Sequence, residues 1–150
     1  MTESVMIRSM MVRLAEFSLL LAICISLAQA ESFSVELKAE RDPGKRSEMA
    51  LAFADTAFDQ ARDFYSKGEI EKGDAQLEDM TNALNECVVS ANTAHKAKFY
   101  KKAEQNVAAL QRRITTLLDD LEMQKRGWAE YTQRKLDEIH DKLLAGVMRK

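Results

Sequence analysis

Residues 99–121 read FYKKAEQNVAALQRRITTLLDDL. Within them Ala103, Val107, Leu110, Ile114, Leu117 and Leu121 recur at alternating steps of four and three. That spacing is the a/d seam of a heptad helix. Lys101 and Lys102 precede them, Glu104, Gln105, Gln111, Arg112, Arg113 and Asp119 fill positions between them, and Glu122 follows. Such a helix has one apolar stripe and a wet back. A lone helix gains too little from its own hydrogen bonds to persist in water. The stripe therefore predicts other helices that cover it.

Downstream, Gln124-Lys125-Arg126-Gly127 predicts the end of this helix, with basic residues in the last turn and a glycine stop. Trp128 and Tyr131 then open a closing amphipathic segment striped by Leu136, Ile139, Leu143 and Val147. Trp128, the only tryptophan, is expected to plug the end of the bundle, with an exposed binding anchor as the alternative. Upstream, no strong breaker lies between Asp74 and Arg126, so one long helix and two shorter ones both remain open. Leu84, Cys87, Ala91 and Ala94 keep one stripe, which Tyr100 and Ala103 restart in another phase. The slip favours a break within 92–98, where Asn92 and Thr93 are the cap residues on offer.

Further upstream, Ser47 and Glu48 suit a helix start, and the helix runs to about Ser66. Ala50, Phe53, Ala57, Ala61 and Phe64 form its apolar face, widened by Leu51, Phe58 and Tyr65. Lys67-Gly68 closes it, with Gly68 free to take the left-handed turn. The next helix starts near Glu69 and is lined by Ile70, Gly73, Leu77, Met80, Leu84, Cys87 and Ala91. A mid-helix glycine costs about 1 kcal/mol against alanine. Gly73 therefore predicts a close approach, here to the alanines of the preceding helix. Before this hairpin, Phe33, Val35 and Leu37 alternate with polar residues, which reads as an extended arm over 31–46 that ends in a Pro43-Gly44 turn.

Ala61, Phe64, Gly68, Ile70, Gly73, Leu77 and Met80 resemble a tetratricopeptide hairpin. In that family a small residue on each helix meets its counterpart, a match for Ala61 and Gly73, and Gly68 stands at the turn. The resemblance spans one repeat, with no second copy and no closing proline. The chain beyond residue 30 also resembles uncharacterised secreted or periplasmic helical proteins of bacteria, notably over His95–Leu121 and Leu143–Met148. That likeness implies export and a helical domain, with no assigned activity. The expected fold is all-α: three to four antiparallel helices with a long central one, arranged as tetratricopeptide-like hairpins or a bundle. Two long stripes in so short a chain also set an expectation of self-association.

Composition agrees. The 150 residues hold 46% hydrophobic and 31% charged residues, five glycines and one proline. Few breakers suit long helices rather than many-turned sheets. The formal charge of −2 gives no electrostatic case for nucleic acid, and the basic run His95–Lys102 reads as a solvated helix start.

Arg8 and Arg13 precede an apolar run from Phe17 to Leu27, followed by Ala28-Gln29-Ala30. This is the pattern of a secretory signal over 1–30. The domain division is then a signal at 1–30, an arm and turn at 31–46, and a helical domain at 47–150. A retained anchor is disfavoured because the run is shorter than the roughly 20 residues a bilayer needs. Lipidation at Cys24 is disfavoured because Ile23 is bulky there. The expected location is periplasmic or secreted, without stable membrane insertion after cleavage. Loss of Cys24 leaves Cys87 alone, either as a buried small hydrophobe or as an interchain disulfide.

Site chemistry is sparse. No phosphate loop, dinucleotide glycine pattern or activated serine motif occurs. Asp55, Asp59 and Asp63 form an acidic ridge that reads as a solvated face. Asp137 and His140 form one imperfect metal-like pair, where a bundle di-metal site needs two Glu-x-x-His pairs and further acids. No catalytic, cofactor-binding or metal residues are assigned, and no cofactor is expected. The expected role is a noncatalytic protein–protein interaction or structural module of the cell envelope. The alternative is a small helical-bundle enzyme or metal-binding protein of the periplasm. The candidate interaction surface is Leu51, Tyr65, Phe99 and Tyr100, and the competing reading is that the other helices bury all four.

Overall fold

A computed structural model describes residues 35–148. The chain divides into two units, Met1–Lys38 and Ala39–Lys150. The export segment at 1–30 and the start of the arm at 31–34 lie outside the described residues. Residues 35–39 are helical, which corrects the extended reading of Val35 and Leu37. A strand without a partner leaves its backbone N–H and C=O groups unpaired, whereas a helical turn begins to close its own.

In the second unit the helices are α1 (Pro43–Ser66), α2 (Ile70–Ala94), α3 (Ala97–Asp120) and α4 (Gly127–Met148), with a 3₁₀ turn at Met123–Lys125. These five packed helical elements, with no strand among the described residues, make the unit all-α. α1 begins four residues before the expected Ser47. Asp42 caps it, its side chain accepting from the Lys45 amide at 2.9 Å, and Pro43 fills the first helical position. Proline suits that position because its missing N–H would have had no helical partner. Pro43-Gly44 therefore starts a helix instead of making a turn, and Ser47 is left buried within it.

α1 ends as expected, with Lys67 as cap and Gly68 at φ 76°. The phase slip also marks a real boundary: α2 stops at Ala94, His95 adopts a left-handed φ of 50°, and α3 starts at Ala97. Residues 74–126 are thus not one helix. Gly127, read as a stop, is instead the first residue of α4. The chain leaves α3 at Leu121, which is extended, and the Arg126 side chain donates to the Leu121 carbonyl at 2.8 Å.

The closest packing is α1 with α2 and α3 with α4, while α2 also touches α4 and α1 touches α3. Ser47 meets Cys87 and Tyr65 meets Asp74, so α1 and α2 are antiparallel. Glu104 meets His140 and Gln111 meets Asp137, so α3 and α4 are antiparallel too. Glu48 meets Lys102 and Asp55 meets Asn106, so α1 and α3 run parallel. It follows that α2 and α4 also run parallel.

The seam of α3 lies in the core, each of its six residues at most 8% exposed within a single chain. Leu136, Ile139 and Leu143 of α4 and Leu77, Met80 and Leu84 of α2 are buried with it. Burying a leucine or isoleucine side chain contributes about 1.5–3 kcal/mol. The stripe is thus covered within one protomer, so self-association through this seam would require the domain to open.

Candidate functional site

The expected interaction surface does not form an open face. Leu51, Tyr65 and Tyr100 are buried, and Phe99 is half-buried. The reason is packing of rings over glycines. The Tyr65 ring covers Gly73, where an added Cβ would sit 2.9 Å from ring carbons. That is the close approach Gly73 predicts, made by an aromatic ring in place of the alanines. The Tyr65 hydroxyl donates to Asp74. Burial, then the Asp74 hydrogen bond, pushes this phenol above its ordinary range. The Tyr100 ring covers Gly146 in the same way, and its hydroxyl donates to Asn92 Oδ1 at 2.6 Å. Phe99 lies over Gly44.

The ionisable groups singled out from the sequence hold each other apart. Arg113 of α3 bridges Asp55 and Asp59, and its guanidinium stands 4.4 Å from the Phe58 ring centroid. Asp63 pairs with Lys67 at 2.6 Å. The ridge is therefore neutralised by neighbouring cations rather than left bare in water. Asp137 accepts from Gln111 at 2.7 Å, and His140 Nε2 lies 3.1 Å from Glu104. These two do not converge on a common point. Among the described residues no group of three His, Cys, Asp or Glu side chains could hold a metal ion. Cys87 is buried, its Sγ 3.3 Å from Ser47 Oγ, and burial chiefly raises its thiol pKa.

The surface that is open lies elsewhere. The core stripe of α4 is Ala129, Thr132, Leu136, Ile139 and Leu143. One position before each stands a second stripe: Trp128, Tyr131, Lys135, Glu138 and Lys142. One step turns about 100° around a helix of 3.6 residues per turn. This second stripe thus faces sideways toward α2 and lines a groove of about 310 Å³, with Glu78, Asn82 and Asn85 on the opposite wall. Trp128 is 40% exposed and Tyr131 42%, so Trp128 does not plug the bundle as expected. Their rings meet edge to face, 5.3 Å between centroids and 84° between planes.

Lys135 pairs with Glu138 at 2.9 Å and lies 5.6 Å from the Tyr131 ring centroid. That pairing, first by hydrogen bond and then by charge, raises the Lys135 ammonium pKa and lowers that of the Glu138 carboxyl. The Glu78 carboxylate and the Lys142 ammonium have no hydrogen bond or ion pair to any described residue, and neither do the two asparagine carboxamides. Beside the groove, burial and then the charge of Glu78 raise the Asp79 carboxyl pKa.

Fold and groove together define an all-α domain with an aromatic-walled polar cleft. No protein-family model, curated protein or solved structure matches the chain. No described helix is long and apolar enough to cross a membrane.

Proposed function

We propose that this chain is a noncatalytic protein–protein interaction module of the cell envelope. The observation that carries the reading is the Trp128–Tyr131 pair, two large rings left open beside a groove and the only exposed aromatic side chains among the described residues. Tryptophan and tyrosine are the residues that most often anchor interfaces. An enzyme needs converging ionisable groups with displaced pKa values in one cleft. The candidates the sequence offered are engaged by separate partners instead. The antiparallel α1–α2 pair with Gly68 at its turn supports a tetratricopeptide-like hairpin as the scaffold element, with the Tyr65 ring over Gly73 where that family has a small residue.

Crosslinking pull-down from cell envelopes tests the reading. Trp128→Ala is expected to keep wild-type helicity, since the side chain is outside the core, and to lose a specific partner with at least about a thirtyfold drop in affinity. A folded Trp128→Ala protein that retains every partner would refute it. Envelope location rests on the 1–30 signal pattern. Mass spectrometry of the protein from its native host is expected to find Glu31 as the N-terminus. Recovery of the uncleaved chain from the cytosol would exclude export.

A further inference from the structure

A peptide backbone meets few ready partners on a helical surface. The backbone groups of a helix interior are already paired along the helix, and no sheet edge exists among the described residues to add a strand to. What such a surface has left for reading a backbone is side-chain amides. α2 supplies two. Asn82 and Asn85 are exposed on one wall of the groove and three positions apart, so they share a face of the helix. Neither carboxamide is engaged by a described residue. Each carries a donor and an acceptor side by side, the complement of a peptide unit.

The groove also has a direction. Because α2 and α4 run parallel, Glu78 lies toward the Trp128 end and Lys142 toward the Asn85 end. Glu78 has no cationic partner, while Glu138 stands between Lys135, its ion-pair partner, and Lys142, whose charge also acts on it. The cleft is thus negative at the Glu78 end, and toward the other end two cations, Lys135 and Lys142, outweigh the one carboxylate of Glu138. At the negative end the two perpendicular rings form a corner for a flat apolar residue. Proline fits this role, since it stacks on aromatic rings and is already extended before binding. From Trp128 to Lys142 the helix advances about 21 Å at 1.5 Å per residue. An extended chain rising about 3.3 Å per residue covers that in about six residues.

We infer that the groove between α2 and α4 binds an extended segment of a partner protein, about six residues long. Its basic end faces Glu78, a proline seats on Trp128 and Tyr131, the carboxamides of Asn82 and Asn85 hold its backbone, and its acidic end faces Lys142. This inference rests on the reading of the Trp128–Tyr131 surface as the partner site.

Trp128 is the only tryptophan in the chain, so its emission reports occupancy directly. The full chain is titrated with two capped hexapeptides, Lys-Pro-Ala-Ala-Ala-Glu and the reverse order. One order is expected to shift the emission saturably. The Asn82→Leu/Asn85→Leu double variant is expected to weaken that binding about tenfold or more, with the free-protein spectrum unchanged. Glu78→Lys is expected to weaken it comparably, and replacing the peptide lysine by glutamate is expected to restore it. No saturable shift at millimolar peptide, or binding indifferent to the asparagine variant, would overturn the inference. A saturable response to a glucose hexasaccharide and to neither peptide would also overturn it, assigning the groove to a saccharide. The Trp128→Ala pull-down separates the two levels. A partner lost there while peptides fail removes only the peptide chemistry, whereas no partner lost removes the surface as well.

Discussion

Leu110→Ala is expected to lower the free energy of unfolding by about 2–5 kcal/mol. Leu110 is fully buried at the middle of the α3 seam, and α3 packs on α1, α2 and α4. Truncation there removes transfer free energy and leaves a cavity that three neighbouring helices cannot all close at once. A domain of this size is stable by only about 5–15 kcal/mol, so the loss is a large share of the total. Urea unfolding followed by far-UV circular dichroism measures it. Lys101→Ala, on the exposed back of the same helix, is the control and is expected to stay within about 0.5 kcal/mol of wild type. Equal effects of the two substitutions would mean that the seam is not the core.

The all-α fold was legible because stripes and their phase survive without knowledge of tertiary contacts. The six seam residues of α3 are buried, and the slip between Ala94 and Tyr100 coincides with a break. The break was hard to place to the residue because His95, not a glycine, takes the left-handed conformation there. Pro43 and Gly127 stand on the other side of their expected helix boundaries for one shared reason. Both residue types interrupt a helix interior, yet both are tolerated at its first turn, and composition alone does not say which side of a boundary they occupy.

The candidate site was much less legible. Tyr65 at the edge of the α1 apolar face and Tyr100 at the restart of the stripe suit either an open surface or the core when counted on their own helices. They are buried because glycines on other helices, Gly73 and Gly146, make room for their rings. A lone glycine inside a helical pattern is the available signal, and for Gly73 it implies a close approach without naming the partner. Residue type alone suggests a buried plug for Trp128. Its position one step before the α4 core stripe already places it at the side of the helix, where α2 leaves a groove instead of a cover. The acidic ridge shows a different limit. Its spacing is local, but Arg113, which neutralises it, lies more than fifty residues away, at separations of 58 and 54.

Cys87 is expected to react with a disulfide reagent on the order of a thousandfold more slowly in native buffer than in guanidinium chloride. A Cys24→Ser variant gives a chain with one thiol. Cys87 is 1% exposed on α2, and its Sγ lies 3.3 Å from the buried Ser47 hydroxyl of α1. The reagent reaches it only when α1 lifts away. If lifting is coupled to global unfolding, a stability of about 5 kcal/mol leaves roughly one molecule in several thousand open. The raised thiol pKa acts in the same direction, because the thiolate is the attacking species. The same burial removes the interchain disulfide from the native state, so non-reducing gels of the folded variant are expected to show monomer. Where Leu110→Ala weighs the whole core, this rate isolates the α1–α2 pair. Fast native labelling together with full urea stability would mean that α1 opens on its own. Fast labelling with low stability would mean that the whole domain is weak.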